Sequence, residues 1–317
     1  MTGGAASAPV LAGALVAAMG IAVMAGCRRE PEPESAETDR APASADEEFD
    51  RAAVESLPRG FLDPETGTYR LTIPRPELVV SVDGVPLGPR TGLDGWVAFE
   101  PVPGGAVLTA ELPLLVDEVN PVLSAALLHD IGVTALGAHL ARADPQVWTL
   151  HLLAIGETDS LAAGIGGVLQ TLQDVKGIPP EPLPPLDPGS TLDPALVDSV
   201  LGLRGERGPR AYEIELPGST SLEGYDLGAS SGIVSRVTFW GSDFRAAAIG
   251  QLAVSAVELQ PVLRALRAGG LEITTIDDPF VGEDPPIVFV HFWGRGRAAD
   301  LARAVRDALD AMESAGN

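Results

Sequence analysis

The sequence predicts a mixed α/β (α+β) fold in which one helix–strands–helix–two strands–helix unit occurs twice in tandem. An internal repeat that aligns without gaps at an offset of 140 residues predicts the duplication. The same order of helix-like and strand-like segments recurs in each copy, and a Pro-rich segment at 174–190 separates the copies. We expect the two copies to pack against each other with pseudo-twofold symmetry and to share a core.

The repeat is clearest where residues 118–162 align with residues 258–302, since 12 of these 45 positions are identical. Upstream, residues 49–57 match 192–200 at an offset of 143, and 67–75 resemble 210–218. The duplication therefore covers repeat unit 1 (49–173) and repeat unit 2 (191–312), with the linker 174–190 between them.

Each unit is expected to open with a short helix that Asp50 or Asp193 caps, with Pro194 in the first turn of the second copy. Alternating β-branched and apolar residues predict strands at 69–73, 77–82, 96–102 and 106–112, and in the second copy at 212–216, 235–241 and 246–254. Next come a helix (118–129; 258–268), with Pro121 or Pro261 in its first turn, and a strand (131–137; 271–276). An Asp-Pro loop, a second strand (146–155; 286–293) and a closing helix (158–172; 298–312) complete the unit.

The N-terminal segment indicates export as a lipoprotein. Residues 8–26 form an uncharged, apolar run that ends in Ala25 and Gly26, directly before Cys27, the pattern of a lipidation motif. Residues 1–27 are therefore predicted to be a signal peptide that ends at a lipidated Cys27, although no Lys or Arg precedes the apolar run. The alternative is an uncleaved anchor, for which this Ala/Gly-rich run is marginal. We expect a membrane-anchored protein of the cell envelope, periplasmic or on the outer surface, in which the Glu/Pro-rich segment 28–48 is a disordered acidic tether.

Composition excludes some functions. The 317 residues are 45% hydrophobic, enough for a sizeable core, and carry 44 acidic against 21 basic residues, a net charge of −23. Nucleic acid is not expected as a partner, because that binding depends on Lys and Arg neutralising phosphates. A single cysteine excludes an intramolecular disulfide and a thiolate metal cluster.

Two histidines at one repeat position are the first candidates for a site. His151 and His291 lie in the middle of apolar strand-like runs, where a histidine is either a hydrogen-bonded core residue or a ligand. If residues 131–139 and 147–155 form an antiparallel hairpin centred near Ala143, His139 points to the same face as His151.

Polar residues at the start of the matched second helices are further candidates. Glu118 and Glu258 either stabilise the helix N-terminus or act as ligands. Asn120 and Gln260 are matched amides that either cap these helices or support a bound ligand.

Together these side chains predict two alternative metal sets. A carboxylate with two imidazoles suits zinc, which gives Glu118, His139 and His151 in unit 1. In unit 2 the candidates are Glu258, His291 and the pair Asp277–Asp278, which would suit a harder cation. No cofactor is predicted otherwise.

At these residues the chain resembles a known family, the LppY/LpqO-like lipoproteins, also described as domain of unknown function 1259. The resemblance covers most of 49–312 and rests on five stretches. Two of them are matched between the copies: EVNPVLSAALLHDIGVTAL with ELQPVLRALRAGGLEITTI, and DPQVWTLHLLAIGE with DPPIVFVHFWGRGRAADLA. The fifth is IPRPEL in the first copy. In that family a His-Asn-His triplet typically follows the TAL or TTI strand, and one histidine lies on the next strand. Here the triplet is Gly137-Ala138-His139 and Asp277-Asp278-Pro279, so three of the four triplet histidines are missing, while His151 and His291 match the later histidine. The resemblance implies export and fold, but no activity.

Three functions follow as hypotheses. The favoured one is a lipid-anchored, noncatalytic binding or structural module, or a pseudoenzyme, since no complete catalytic constellation is evident and most triplet histidines are absent. The second is a metal-dependent, zinc-type hydrolase that uses the remaining His, Glu and Asp side chains. The third is a small-molecule carrier with its ligand in the cleft between repeats. Whether the protein is an enzyme is left open, with the noncatalytic reading preferred. Its expected partners are the membrane and an unknown envelope protein or small molecule.

Overall fold

The computed structural model describes residues 49–57, 60–62, 68–88, 91–175, 184–186 and 189–316. The predicted signal peptide, Cys27 and the acidic tether lie outside these residues. All described residues belong to one compact unit, Pro42–Asn317. Among them, no helix combines the length and apolarity needed to cross a membrane.

The two repeats contain the same α-helices and strands in the same order, as the sequence predicts, and repeat 2 has in addition a short 3₁₀ helix (Ala229–Ser231) before β14. Repeat 1 comprises α1 (Arg51–Glu55), β1 (Gly60–Leu62), β2 (Tyr69–Ile73), β3 (Ser81–Val82), β4 (Val85–Pro86), β5 (Gly95–Val102), β6 (Gly105–Leu115), α2 (Val116–Leu128), β7 (Gly132–Ala138), β8 (Ala143–Asp144), β9 (Val147–Gly156) and α3 (Thr158–Val175). Repeat 2 comprises α4 (Pro194–Leu201), β10 (Glu206–Arg207), β11 (Tyr212–Pro217), β12 (Thr220–Leu222), β13 (Tyr225–Leu227), β14 (Val234–Gly241), β15 (Ala246–Ser255), α5 (Ala256–Ala268), β16 (Glu272–Asp277), β17 (Glu283–Asp284), β18 (Ile287–Gly296) and α6 (Ala298–Ala315).

Both repeats contribute to one antiparallel sheet of 12 strands. Its order is β1-β2-β5-β6-β9-β7-β16-β18-β15-β14-β11-β10, so the second half is the first half reversed. The halves meet where β7 pairs with β16, through Leu136 and Ile276. This palindromic order is the expected pseudo-twofold arrangement.

The six α-helices of the described residues cover one face of this sheet, and a single core lies between the two layers. Along β6 the side chains of Leu108, Ala110 and Leu112 are buried, while those between them, such as Glu111, are partly exposed. Every helix contributes buried side chains to the same cluster, including Val54 of α1 in repeat 1 and Val197 of α4 in repeat 2. The shared core is therefore confirmed, and all six described α-helices lie on this one face. We call the opposite face of the sheet the open face.

The opening helices are capped as predicted. Asp50 accepts a hydrogen bond from the backbone N–H of Ala53 at 3.0 Å, and Asp193 accepts one from Ala195 at 3.0 Å. The prediction for the second helices was wrong in one respect. These helices begin at Val116 and Ala256, so Pro121 and Pro261 lie inside the helix, beyond the first turn.

The predicted strand 77–82 is also wrong over most of its length, because only Ser81 and Val82 pair in a sheet. Leu78 and Val80 are buried in a second, smaller core with Ala143 and Val147. Val82 of β3 and Ala143 of β8 belong to this core, and these two strands form a small sheet of order β4-β3-β8. Repeat 2 has the matching sheet, β13-β12-β17.

A reciprocal pair of side-chain amides joins the repeats. Asn120 of α2 donates to the carbonyl of Ile273 at 3.2 Å and accepts from its N–H at 2.8 Å. Gln260 of α5 makes the matching pair of bonds with Val133, at 2.7 Å to the carbonyl and 3.0 Å from the N–H. We call these four hydrogen bonds the amide clamp.

The clamp lies where the two central strands do not pair with each other, since β7 and β16 pair only at Leu136 and Ile276. The pairing of β7 with β9 shifts register between Val133 and Ala135, and that of β16 with β18 shifts between Ile273 and Thr275. Such β-bulges disrupt the ladder locally. The backbone of Val133 and Ile273 is buried, and buried N–H and C=O groups need partners. Each therefore finds its partner in the helix of the other repeat.

Replacing Asn120 by Leu is expected to lower the free energy of unfolding by about 2–4 kcal/mol, because an orphaned buried backbone group costs about 1–3 kcal/mol. Urea denaturation of the variant and the parent chain measures this difference. The control is Gln170→Leu, since Gln170 is an exposed amide that bonds only to Asp174 in the same helix, and its cost should stay within about 0.5 kcal/mol. Equal costs for the two variants would contradict the proposed role of the clamp.

Candidate ligand groove at the repeat junction

An open groove of about 470 Å³ lies on the open face where the repeats meet. Strands β6, β9 and β7 of repeat 1 and β16 of repeat 2 form it. Its lining consists of small apolar residues and of polar side chains: Glu111, Ala135, Leu136, Gly137, Ala138, His139, Thr149, His151, Thr275, Ile276 and Asp277.

The two histidines of repeat 1 both line this groove. The pairing of β7 with β9 places Leu136 opposite Leu150 and Gly137 opposite Thr149, which centres the hairpin on Ala143 as predicted. His139 follows the end of β7, and its Nδ1 lies 2.9 Å from Oγ1 of Thr149. The hairpin thus brings His139 and His151 to one groove.

The backbone at Gly92 approaches the His139 ring closely on the side opposite Thr149. A Cβ added to Gly92 would lie 2.8 Å from Nε2 of His139, and Gly92 has φ of +80°. Only glycine suits both the left-handed conformation and this contact. The imidazole is therefore held between Thr149 and the loop at Gly92.

Glu111 is a groove residue that the sequence analysis missed. It lies directly opposite His151 in the pairing of β6 with β9. Cross-strand neighbours point to the same face with Cβ atoms about 5 Å apart. Alternation in the predicted strand 106–112 places Glu111 on one face, but the sequence does not reveal that β9 is its neighbour.

Repeat 2 differs at the matched positions and forms less of the groove. Phe289 stands where repeat 1 has Thr149; it is buried, with its ring centroid 6.3 Å from that of His291. Nε2 of His291 lies 3.2 Å from Oδ1 of Asp277. Gln251, the counterpart of Glu111, donates to the carbonyl of Val234 at 2.9 Å. The groove therefore extends toward repeat 1, where the side chains are smaller.

Glu118 does not line the groove, because it is fully buried at the start of α2. Both of its carboxylate oxygens accept hydrogen bonds from Arg75, at 2.7 and 2.9 Å, and one also accepts from the N–H of Leu115 at 2.8 Å. The Arg75 guanidinium bonds in addition to the carbonyl of Pro113. The structure thus places Glu118 in a buried ion pair that joins the start of α2 to Arg75, which follows β2 in the same repeat.

The remaining sequence candidates also have other positions or partners. Glu258 accepts from the N–H and the hydroxyl of Ser255, at 2.6 and 2.8 Å, at the start of α5. Asp278 is exposed and accepts from the N–H of Phe280 at 3.1 Å. Asn120 and Gln260 form the amide clamp. Within the described ranges, no three His, Cys, Asp or Glu side chains lie close enough together to hold a metal ion.

Replacing Glu118 by Gln is expected to lower the free energy of unfolding by about 2–3 kcal/mol, because the buried Arg75 guanidinium would keep only Glu77, at 2.6 Å, as a counter-charge. The matched control is Glu258→Gln. Glu258 is only partly buried and its recorded hydrogen bonds are to Ser255, so we expect a cost of about 1 kcal/mol. Chemical denaturation of both variants tests this, and similar losses would contradict a special role for the buried pair.

Comparison with known proteins places the chain in a family. The profile of one family, Domain of Unknown Function (DUF1259), matches residues 60–171 and 195–311, one segment in each repeat. A search of curated proteins finds no match. Among solved structures, the crystal structure of a trimeric bacterial microcompartment shell protein PduB matches at 9% identity over 81% of this chain and 92% of that chain, with a TM-score of 0.22, which is too low to bear on fold or function. Because the two family segments span both repeats, the chain belongs to the DUF1259 family.

Proposed function

We propose that this protein is a noncatalytic binding module, anchored to the cell envelope by a lipid, that takes a small molecule in the groove at the repeat junction. One observation carries the proposal: a cavity of about 470 Å³ in which polar side chains from both repeats converge around small residues. Binding pockets commonly combine an apolar surface with a few polar groups that fix the ligand's orientation.

The chemistry of the lining suggests the class of ligand. Its charged side chains are the carboxylates Glu111 and Asp277, and no Lys or Arg is among its residues. Imidazole rings and the hydroxyls of Thr149 and Thr275 supply further hydrogen bonds. Such a lining favours a cationic amine or a neutral polyol over an anion, which the carboxylates would repel.

We also propose that the chain is an LppY/LpqO-like member in which the family's His-Asn-His triplets are degenerate. The corresponding positions, Gly137-Ala138-His139 and Asp277 from the second triplet, lie in the groove lining. Loss of the two histidines at positions 137 and 277 would change what the groove binds. The alternative, a zinc-type hydrolase, gains no support from Glu118, since Arg75 occupies both its carboxylate oxygens.

Filling the groove is expected to abolish binding. A Cβ at Gly137 would meet no atom within 4 Å, so a Phe side chain there can enter the groove without displacing the backbone. We expect protein extracted gently from its own envelope to carry a small-molecule adduct in native mass spectrometry. Gly137→Phe should reduce its occupancy at least tenfold.

Gly137→Ala is the matched control, because it changes the same backbone position but leaves the groove open, and its occupancy should stay within about threefold of the parent. Equal adducts in the Phe and Ala variants, or no adduct in the parent, would refute the groove as the binding site. A metal adduct lost when His151 becomes Ala would favour the hydrolase instead.

Anchoring is tested at Cys27. Lipid attachment at this residue should place the protein in the membrane fraction and allow labelling with a radioactive fatty acid. The change Cys27→Ser should remove the label completely, whereas Ser35→Ala in the tether should leave it unchanged. A label that persists in Cys27→Ser would contradict lipidation, and unlabelled membrane-bound parent protein would favour an uncleaved anchor.

A further inference from the structure

A second cavity lies between repeat 2 and residues 184–186 of the linker. It has a volume of about 260 Å³ and is formed by the β14–β15 turn, the end of β18 and the linker. Three arginines line it, Arg245, Arg295 and Arg297, together with Phe244 and Leu186. We call this cavity the arginine pocket.

The concentration of positive charge is unexpected in this chain, whose net charge is −23 with only 21 basic residues. Among the described residues, no carboxylate lies within ion-pair distance of any of the three guanidinium groups, whereas six of the other twelve described arginines have one. The nearest acidic residue in sequence, Asp243, accepts instead from the N–H of Asp193 at 2.8 Å. The pocket therefore holds positive charge that no described side chain neutralises.

The hydrogen bonds of these arginines leave most of their donors available. Arg245 donates to the carbonyl of Pro185 at 2.6 Å, and Arg295 donates to that of Pro184. Nε of Arg295 is buried without a hydrogen-bond partner, which is costly for a charged donor. A guanidinium has five N–H groups, so further acceptors can bind to each of these two side chains.

Arg297 has a different environment and does not bond to the linker. Its guanidinium lies 5.3 Å from the ring centroid of Phe244, an exposed side chain at the tip of the turn. It is also the residue directly before α6, an 18-residue helix whose dipole favours an anion near its N-terminus, although the first N–H, that of Ala298, already donates to the carbonyl of Asp243 at 3.0 Å. Hydrogen bonds to the linker therefore account in part for the presence of Arg245 and Arg295, but they do not account for that of Arg297.

The matched corner of repeat 1 has none of these arginines. At the equivalent positions it carries Gly105, Ile155 and Glu157. The fold of the unit therefore does not require the arginines, since repeat 1 builds the same strands and helix without them. This difference favours a property that only repeat 2 has.

We propose that the arginine pocket binds the phosphate group of a phosphate ester. Planar guanidinium groups match the geometry of phosphate oxygens and can bind them with two hydrogen bonds each. The volume of about 260 Å³ exceeds that of a phosphate group alone, and Phe244 and Leu186 offer an apolar wall to the rest of the ester. The ester is either a soluble metabolite or the headgroup of a membrane phospholipid, which share this chemistry.

The test uses residues 28–317, which contain the whole compact unit Pro42–Asn317. Calorimetric titration with glycerol 3-phosphate probes the soluble ester. Cosedimentation with vesicles of phosphatidylglycerol, against vesicles of phosphatidylcholine, probes the lipid headgroup. Binding in either arm supports the proposal if Arg297→Glu, which installs the residue of repeat 1, weakens it at least tenfold.

The control is Arg303→Glu. Arg303 lies in the same helix, is exposed and pairs with Asp300, so this variant makes the same change in net charge outside the pocket. Its affinity should stay within twofold of the parent. Absence of binding in both arms, or equal weakening by the two variants, would overturn the proposal. Binding of glycerol 3-phosphate alone would identify a soluble ester, and binding of anionic vesicles alone would identify a lipid headgroup.

Discussion

The joining of the two repeats depends on hydrogen bonds in which side chains of each repeat satisfy backbone N–H and C=O groups of the other. The central strands β7 and β16 pair with each other only at Leu136 and Ile276, so the buried N–H and C=O groups of Val133 and Ile273 have no strand partner across the junction. The amide of Gln260 or Asn120 from the opposite repeat supplies both partners. Because buried polar groups must be paired, neither repeat is complete without the other. The continuous sheet, the shared core and the groove all follow from this mutual requirement.

The groove exists because the two halves of a symmetric frame have diverged in side-chain volume. Thr149 and Gly137 leave space on one side of the junction, where Phe289 and Asp277 stand on the other. Since the open face has no described α-helix over it, these differences decide directly which surface is presented to solvent. A symmetric backbone thus carries an asymmetric surface.

Much of the fold is predictable from the sequence because the repeat doubles the evidence for each element. The N-cap at Asp193, the hairpin centred on Ala143 and the shared face of His139 and His151 all follow from local patterns. The strand at 77–82 fails because Leu78 and Val80 are buried in a small second core, which alternation cannot distinguish from a sheet.

The site was harder to predict than the fold because its residues depend on contacts between distant strands. Glu111 joins the groove only through its pairing with His151, which no local pattern specifies. Glu118 carries a carboxylate at a suggestive position, but its partner Arg75 lies 43 residues earlier in the chain. Neither relationship has a signature in sequence spacing.

The palindromic strand order has a consequence for the ancestry of this architecture. One repeat alone would expose the edge of its central strand and an unused amide, and two identical repeats could close that junction as a symmetric homodimer. In such a dimer every substitution occurs twice, so a cavity or a cluster of charge on one half must also occur on the other. Fusion of the halves into one chain removes that restriction, and each half becomes free to specialise while the other preserves the frame.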